Sequence, residues 1–89
     1  MSIENSNTHN QLKIRKIDIK GKMCPMTFVY TKLALEELNT GDILEVELDF
    51  PSAIKNIPEN CKRQELAELV EIREKNKTQG IYELVLRKL

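Results

Sequence analysis

Cys24 stands in the run Gly21-Lys22-Met23-Cys24-Pro25-Met26-Thr27, where residue types and spacing point to thiol chemistry. Proline is favoured at the first position of a helix, because the N–H it lacks is one of the unpartnered groups there anyway. Pro25 at that position makes Cys24 the helix N-cap, beside unpaired N–H groups and the positive end of the helix dipole. Both favour the thiolate over the thiol. A well-placed helix N-terminus contributes up to about 2 kcal/mol, and one pKa unit corresponds to about 1.4 kcal/mol. A free-thiol value of about 8.5 therefore falls to about 7 from the helix alone. Lys20 and Lys22 push the same way by a smaller amount. A free cysteine is more often a small buried hydrophobe, but a loop tip ahead of a helix is a poor place to bury one.

The elements that must hold this cysteine follow from hydrophobic periodicity. Over 11–19, Leu12 and Ile14 share one phase and Ile17 and Ile19 the other, with Arg15-Lys16 at the break; the pattern predicts a strand bulged at the break. Five basic residues against Asp18 alone lie between Lys13 and Met23. Such a stretch is either a solvated strand edge, where Lys discourages pairing, or a rim that attracts an anion or a partner. A helix is expected over 25–39, with Gly41 as its C′ residue. Thr27, Thr31, Ala34, Leu35 and Leu38 form its inward stripe. Val29 and Leu33 sit on the flank and, with Met23, Met26 and Phe28, form either core packing or an apolar collar around Cys24 suited to docking a partner.

The second half reads more simply. Leu44, Val46, Leu48 and Phe50 alternate with Glu45, Glu47 and Asp49 in a strand over 43–50. Ser52 is placed to cap a second helix with Ile54, Ile57 and Cys61 on its apolar side, and Pro58 either kinks that helix or begins it. Cys61 is then packing material. A strand over 68–74, a polar turn over 75–80 and a strand over 81–88 complete the order β-α-β-α-β-β. Two helices on one face of a four-stranded mixed sheet make an α+β (α/β) two-layer sandwich.

Composition excludes several classes of function. The 89 residues suit one domain, expected over 12–89, after a polar leader over 1–11 that contains the lone His9. Fourteen basic and fourteen acidic residues cancel, so no global field draws in nucleic acid or membrane. No apolar run approaches the roughly 18 residues of a membrane span, and the N-terminus lacks a signal pattern. The expectation is a cytoplasmic monomer with both cysteines reduced and no cofactor. Two cysteines and one tail histidine cannot complete a tetrahedral zinc site, so no metal is expected. There is no Cys-x-x-Cys pair for redox exchange, no general base for a cysteine hydrolase and no glycine-rich phosphate loop. What remains is an activated thiol that carries a group, accepting sulfur as a persulfide and offering it to another protein.

The ordered motifs Ile17-Asp18-x-x-Gly21-x-x-Cys24-Pro25, Leu38-x-x-Gly41-Asp42-x-Leu44-x-Val46, Asp49-x-Pro51 and Ile57-Pro58 resemble those of the TusA/SirA family of small sulfur-carrier proteins. The resemblance runs from Lys13 to Leu89. It implies the same sandwich, a persulfide on Cys24, a donor such as a cysteine desulfurase or rhodanese-like protein, and a sulfur acceptor protein. It leaves the pathway open among tRNA thiolation, molybdenum cofactor, thiamine and sulfur metabolism. Two departures stand out. Thr27 replaces the second proline of the family's Cys-Pro-x-Pro, restoring a backbone N–H expected to point at the sulfur. Glu65-Leu66 stand where the family has Gly-His after its second helix. The competing class is a protein- or RNA-binding module on the same sandwich, which has no need of an acidic cysteine.

Overall fold

The computed structural model describes residues 13–23 and 25–89. The expected leader over 1–11, with His9 in it, as well as Leu12 and Cys24 itself, lie outside these. The order is β1 (Ile14–Asp18), α1 (Met26–Glu36), β2 (Ile43–Leu48), α2 (Pro51–Arg63), β3 (Ala67–Asn76) and β4 (Ile81–Lys88). The sheet runs β1-β2-β4-β3, with β1 parallel to β2 and the other pairs antiparallel. Both helices cover one face, as the sequence implies, and the fold is α+β.

The core follows from strict alternation. Leu44, Val46 and Leu48 of β2 and Leu84 and Leu86 of β4 are fully buried under the helices. The inward stripe of α1, Thr27, Thr31, Ala34, Leu35 and Leu38, is buried as expected, and α2 contributes Ala53, Ile57 and Cys61. β1 pairs with β2 in unbroken register from Ile14 to Asp18, so the expected bulge is absent. Arg15 shares the helix-side phase with Ile17. It is tolerated there because β1 is an edge strand, and its guanidinium reaches out to pair with Glu37 just past α1.

Three boundaries differ from expectation for physical reasons. Helix α1 ends at Glu36: the N–H groups of Glu37 and Leu38 bond three residues back, to Ala34 and Leu35, tightening the last turn. The Lys88 ammonium donates to the Leu35 carbonyl at that end. Gly41, at φ +94°, therefore serves the turn into β2 rather than the helix cap. Helix α2 starts with Pro51 at its first position and Phe50 as N-cap, not at Ser52, and it continues through Pro58. β3 is longer than 68–74 and slips register twice, between Leu69 and Glu71 and between Glu74 and Asn76. These bulges in an exposed edge strand scramble the alternation that would mark its length.

The helix-free face carries charge. Glu83 of β4 is 1% exposed there, covered by Arg73 (3.1 Å), Lys16 (3.4 Å) and Lys75 (3.9 Å). Burial works to raise its pKa, but the hydrogen bond from Arg73 and the charges of Lys75 and Lys16 outweigh it and hold the carboxyl below its ordinary value.

Candidate functional site

Parallel pairing of β1 and β2 places the two carboxyl ends side by side, the edge of an open sheet at which α/β folds build their sites. The 19–25 connection that carries Cys24 leaves from there. It is anchored at once, because the Ile19 N–H donates to the Glu47 carbonyl (2.8 Å). The Lys22 N–H donates back to the Ile19 carbonyl (3.1 Å), closing a turn with Gly21 at its third position and φ +87°. That is the conformation of a type II turn, which only glycine adopts without strain. The Gly21 N–H donates across to Asp49 Oδ1 (2.9 Å), the first residue after β2.

Lys20 does not supply the free positive charge expected of it. Its Nζ lies 2.8 Å from Asp18 Oδ2 and 2.8 Å from Glu47 Oε2. Hydrogen bonds to Asp18 and then Glu47 push the ammonium up to about 12, and Lys20 in turn holds the Asp18 carboxyl below its ordinary value. One cation between two carboxylates leaves a net negative base to the loop. Lys22 points the other way, its Nζ 5.4 Å from the centre of the Tyr30 ring.

The helix begins one residue later than expected. Pro25 is the N-cap of α1, with φ −90° and ψ 3°, rather than its first residue, and no side chain caps the end. Proline fixes φ but leaves ψ free, and ψ near zero keeps Pro25 just outside the helix. Cys24 thus precedes the N-cap in sequence, and its own placement lies outside the described residues. Thr27 is fully buried, and its N–H donates to the Met23 carbonyl (3.2 Å). That donor is engaged by the backbone carbonyl four residues back. Thr31 Oγ1 donates to the Thr27 carbonyl (2.9 Å), so both threonines belong to the helix–sheet seam.

The apolar collar is divided. Met23, Met26, Val29 and Leu33 are exposed, Met23 by 65% and Leu33 by 54%, whereas Phe28 packs against the core. Tyr30, not singled out from the sequence, joins the exposed side; its spacing four after Met26 and three before Leu33 is the signal that marks it. A groove of about 210 Å3 beside Tyr30 and Leu33 runs between α1 and β1, ending at the Arg15–Glu37 pair. Asp49 is the second site residue missed, being joined to the loop only through the pairing of distant strands. Cys61, by contrast, is fully buried, and burial pushes its thiol up to about 11. Among the described residues no cluster of His, Cys, Asp or Glu is placed to hold a metal, and no helix is long and apolar enough to cross a membrane.

Comparison with known proteins agrees with this geometry. The family model described as sulfurtransferase TusA matches residues 15–88. A protein of Archaeoglobus fulgidus named as a candidate sulfur carrier is 42% identical over 48 residues, 54% of each chain, so the match spans about half of that relative. A candidate sulfur carrier of Thermotoga maritima is 38% identical over 60 residues, 65% of this chain and 76% of that one. The crystal structure of a SirA-like protein from Desulfitobacterium hafniense superposes with a TM-score of 0.63 at 25% identity, covering 82% of this chain and 95% of that one. With its sandwich, its loop at the carboxyl ends of β1 and β2 and a family match over nearly its whole length, the chain belongs to the TusA family.

Proposed function

We propose that this protein is a sulfur carrier that holds sulfur as a persulfide on Cys24 and relays it between a donor and an acceptor protein. The observation that carries the reading is the loop itself. The residues on either side of Cys24, Met23 and Pro25, are exposed, as are Met26, Val29, Tyr30 and Leu33 of α1, while the second cysteine is sealed in the core. A carrier needs its thiol reachable by two partners in turn and needs no general base of its own.

The chemistry balances without a redox partner. The Cys24 thiolate attacks the outer sulfur of a donor persulfide; the donor's S–S bond breaks, a new S–S bond forms on Cys24, and the donor leaves as a thiolate. An acceptor thiolate then attacks the outer sulfur on Cys24 and releases the Cys24 thiolate. The transferred sulfur keeps its oxidation state throughout, and no cofactor is needed. The exposed side chains of Met23, Val29 and Leu33 supply the docking surface, and Gly21, Pro25 and Met26 shape the loop. Lys22 adds positive charge beside it.

The open sheet face speaks against a nucleic-acid-binding alternative. It presents Glu45, Glu47 and Glu83 paired with Arg73, Lys16 and Lys20, while Phe28 and Phe50 pack against the core on the helix side. A single-strand reader uses exposed aromatic rings over a positive surface. Competitive alkylation near neutral pH discriminates the classes. A carrier shows Cys24 reacting well ahead of Cys61, whereas a Cys24 no faster than an unstructured peptide thiol contradicts carriage.

A further inference from the structure

We propose that Asp49 is a positioning residue for Cys24, holding the turn that leads to the cysteine through the Gly21 N–H; this rests on Cys24 as the sulfur-bearing residue. In a type II turn the central peptide is flipped relative to type I, so the N–H of the third residue points to the opposite side. Asp49 Oδ1 sits on the side to which the Gly21 N–H points, at 2.9 Å. It therefore favours one of two turn states three residues before Cys24. Nothing lies within 4 Å of where a Cβ would stand on Gly21, so glycine is required there by φ +87° and not by crowding.

Asp49 is itself fixed on both sides. β2 ends at Leu48, paired with Tyr82, and Phe50 begins α2 as an extended N-cap whose carbonyl accepts from the Ala53 N–H at 3.0 Å. The other ties on the turn differ in kind. Asp18 is local to it, and Glu47 takes the mobile end of the Lys20 side chain and, through its carbonyl, the Ile19 N–H at the start of the turn. Asp49 is the residue after β2 whose side chain accepts from the N–H at the centre of the turn, tying it to the junction of β2 and α2. Its charge has the wrong sign to favour a neighbouring thiolate, so the hydrogen bond, not the charge, is its contribution.

Asp49→Ala and Asp49→Asn are to be compared with wild type by three measurements. These are the rate of sulfur loading from a cysteine desulfurase with cysteine, Gly21 amide exchange, and iodoacetamide alkylation of Cys24 well above its pKa. Asp49→Ala is expected to load roughly fivefold more slowly, the effect of losing one hydrogen bond, and to lose Gly21 protection. Asp49→Asn keeps an acceptor oxygen and stays within about twofold of wild type. Alkylation at high pH needs no positioned partner and stays unchanged in all three. Equal loading by wild type and Asp49→Ala, or equal losses in Ala and Asn, overturns the proposal. If wild type takes up no sulfur, carriage has failed instead, and the amide decides: protection kept in Asp49→Ala overturns the clamp, and protection lost sustains it.

Discussion

The ammonium of Lys20 and the carboxylate of Glu47 meet at 2.8 Å across the adjoining ends of β1 and β2. With Asp18 on the same ammonium, the group carries net charge −1 and offers the loop no unpaired cation. Glu47→Gln removes one of the two opposing charges. The apparent pKa of Cys24, from alkylation rate against pH, is expected to fall by about half a unit at low ionic strength and to recover toward wild type in high salt. A rise, or a shift indifferent to salt, contradicts this account of the loop's electrostatics.

Cys61 links burial to pH. Its thiol is raised from an ordinary 9.0 to about 11, so the unfolded chain ionises first on the alkaline side. The stabilisation is complete below about pH 9 and is lost as pH rises toward 11, by about 2–3 kcal/mol from this group. Cys61→Ala should cost about 1 kcal/mol at neutral pH through lost volume and should flatten the alkaline decline in urea-melt stability. An unchanged alkaline slope would show that Cys61 ionises freely in the fold.

Glu65 and Leu66 close α2 in a Schellman motif. The Leu66 N–H donates to the Cys61 carbonyl (2.8 Å) and the Glu65 N–H to that of Lys62 (3.1 Å), with Glu65 at φ +57°. This is the left-handed position that glycine takes without strain. Glu65→Gly is expected to stabilise the fold by up to about 1 kcal/mol, read from the urea midpoint. A lower midpoint would mean that the glutamate side chain contributes more than its backbone strain costs.

Leu33 and Val29 offer a separation of docking from folding. Both are exposed on α1, so Leu33→Asp and Val29→Asp should each change stability by no more than about 0.5 kcal/mol. Sulfur exchange with a protein donor should slow at least severalfold, while exchange with a small-molecule persulfide should not. Equal slowing of both would place these residues in the chemistry and not in docking.

The legible parts of the chain are those where one periodicity acts alone. Leu44, Val46 and Leu48 alternate because β2 is flanked by strands and covered on one face, and the α1 stripe shows because one side packs on that sheet. Illegible parts depend on long-range geometry. The bond from Gly21 to Asp49 spans 28 residues and exists only because β1 and β2 are parallel. Lys20 reads as a free charge until that pairing brings Glu47 to it. Thr27 is legible as part of the inward stripe of α1, but the bond from its N–H to the Met23 carbonyl follows from the backbone geometry ahead of the helix, which no periodicity reports.

The central claim is that Cys24 carries sulfur, and intact mass tests it directly. The protein is incubated with a cysteine desulfurase and cysteine, then measured before and after mild reduction. The account predicts a gain of one sulfur atom, removed by reductant, present in Cys61→Ala and absent in Cys24→Ser. A wild-type mass that does not change, or a gain that persists in Cys24→Ser, contradicts it.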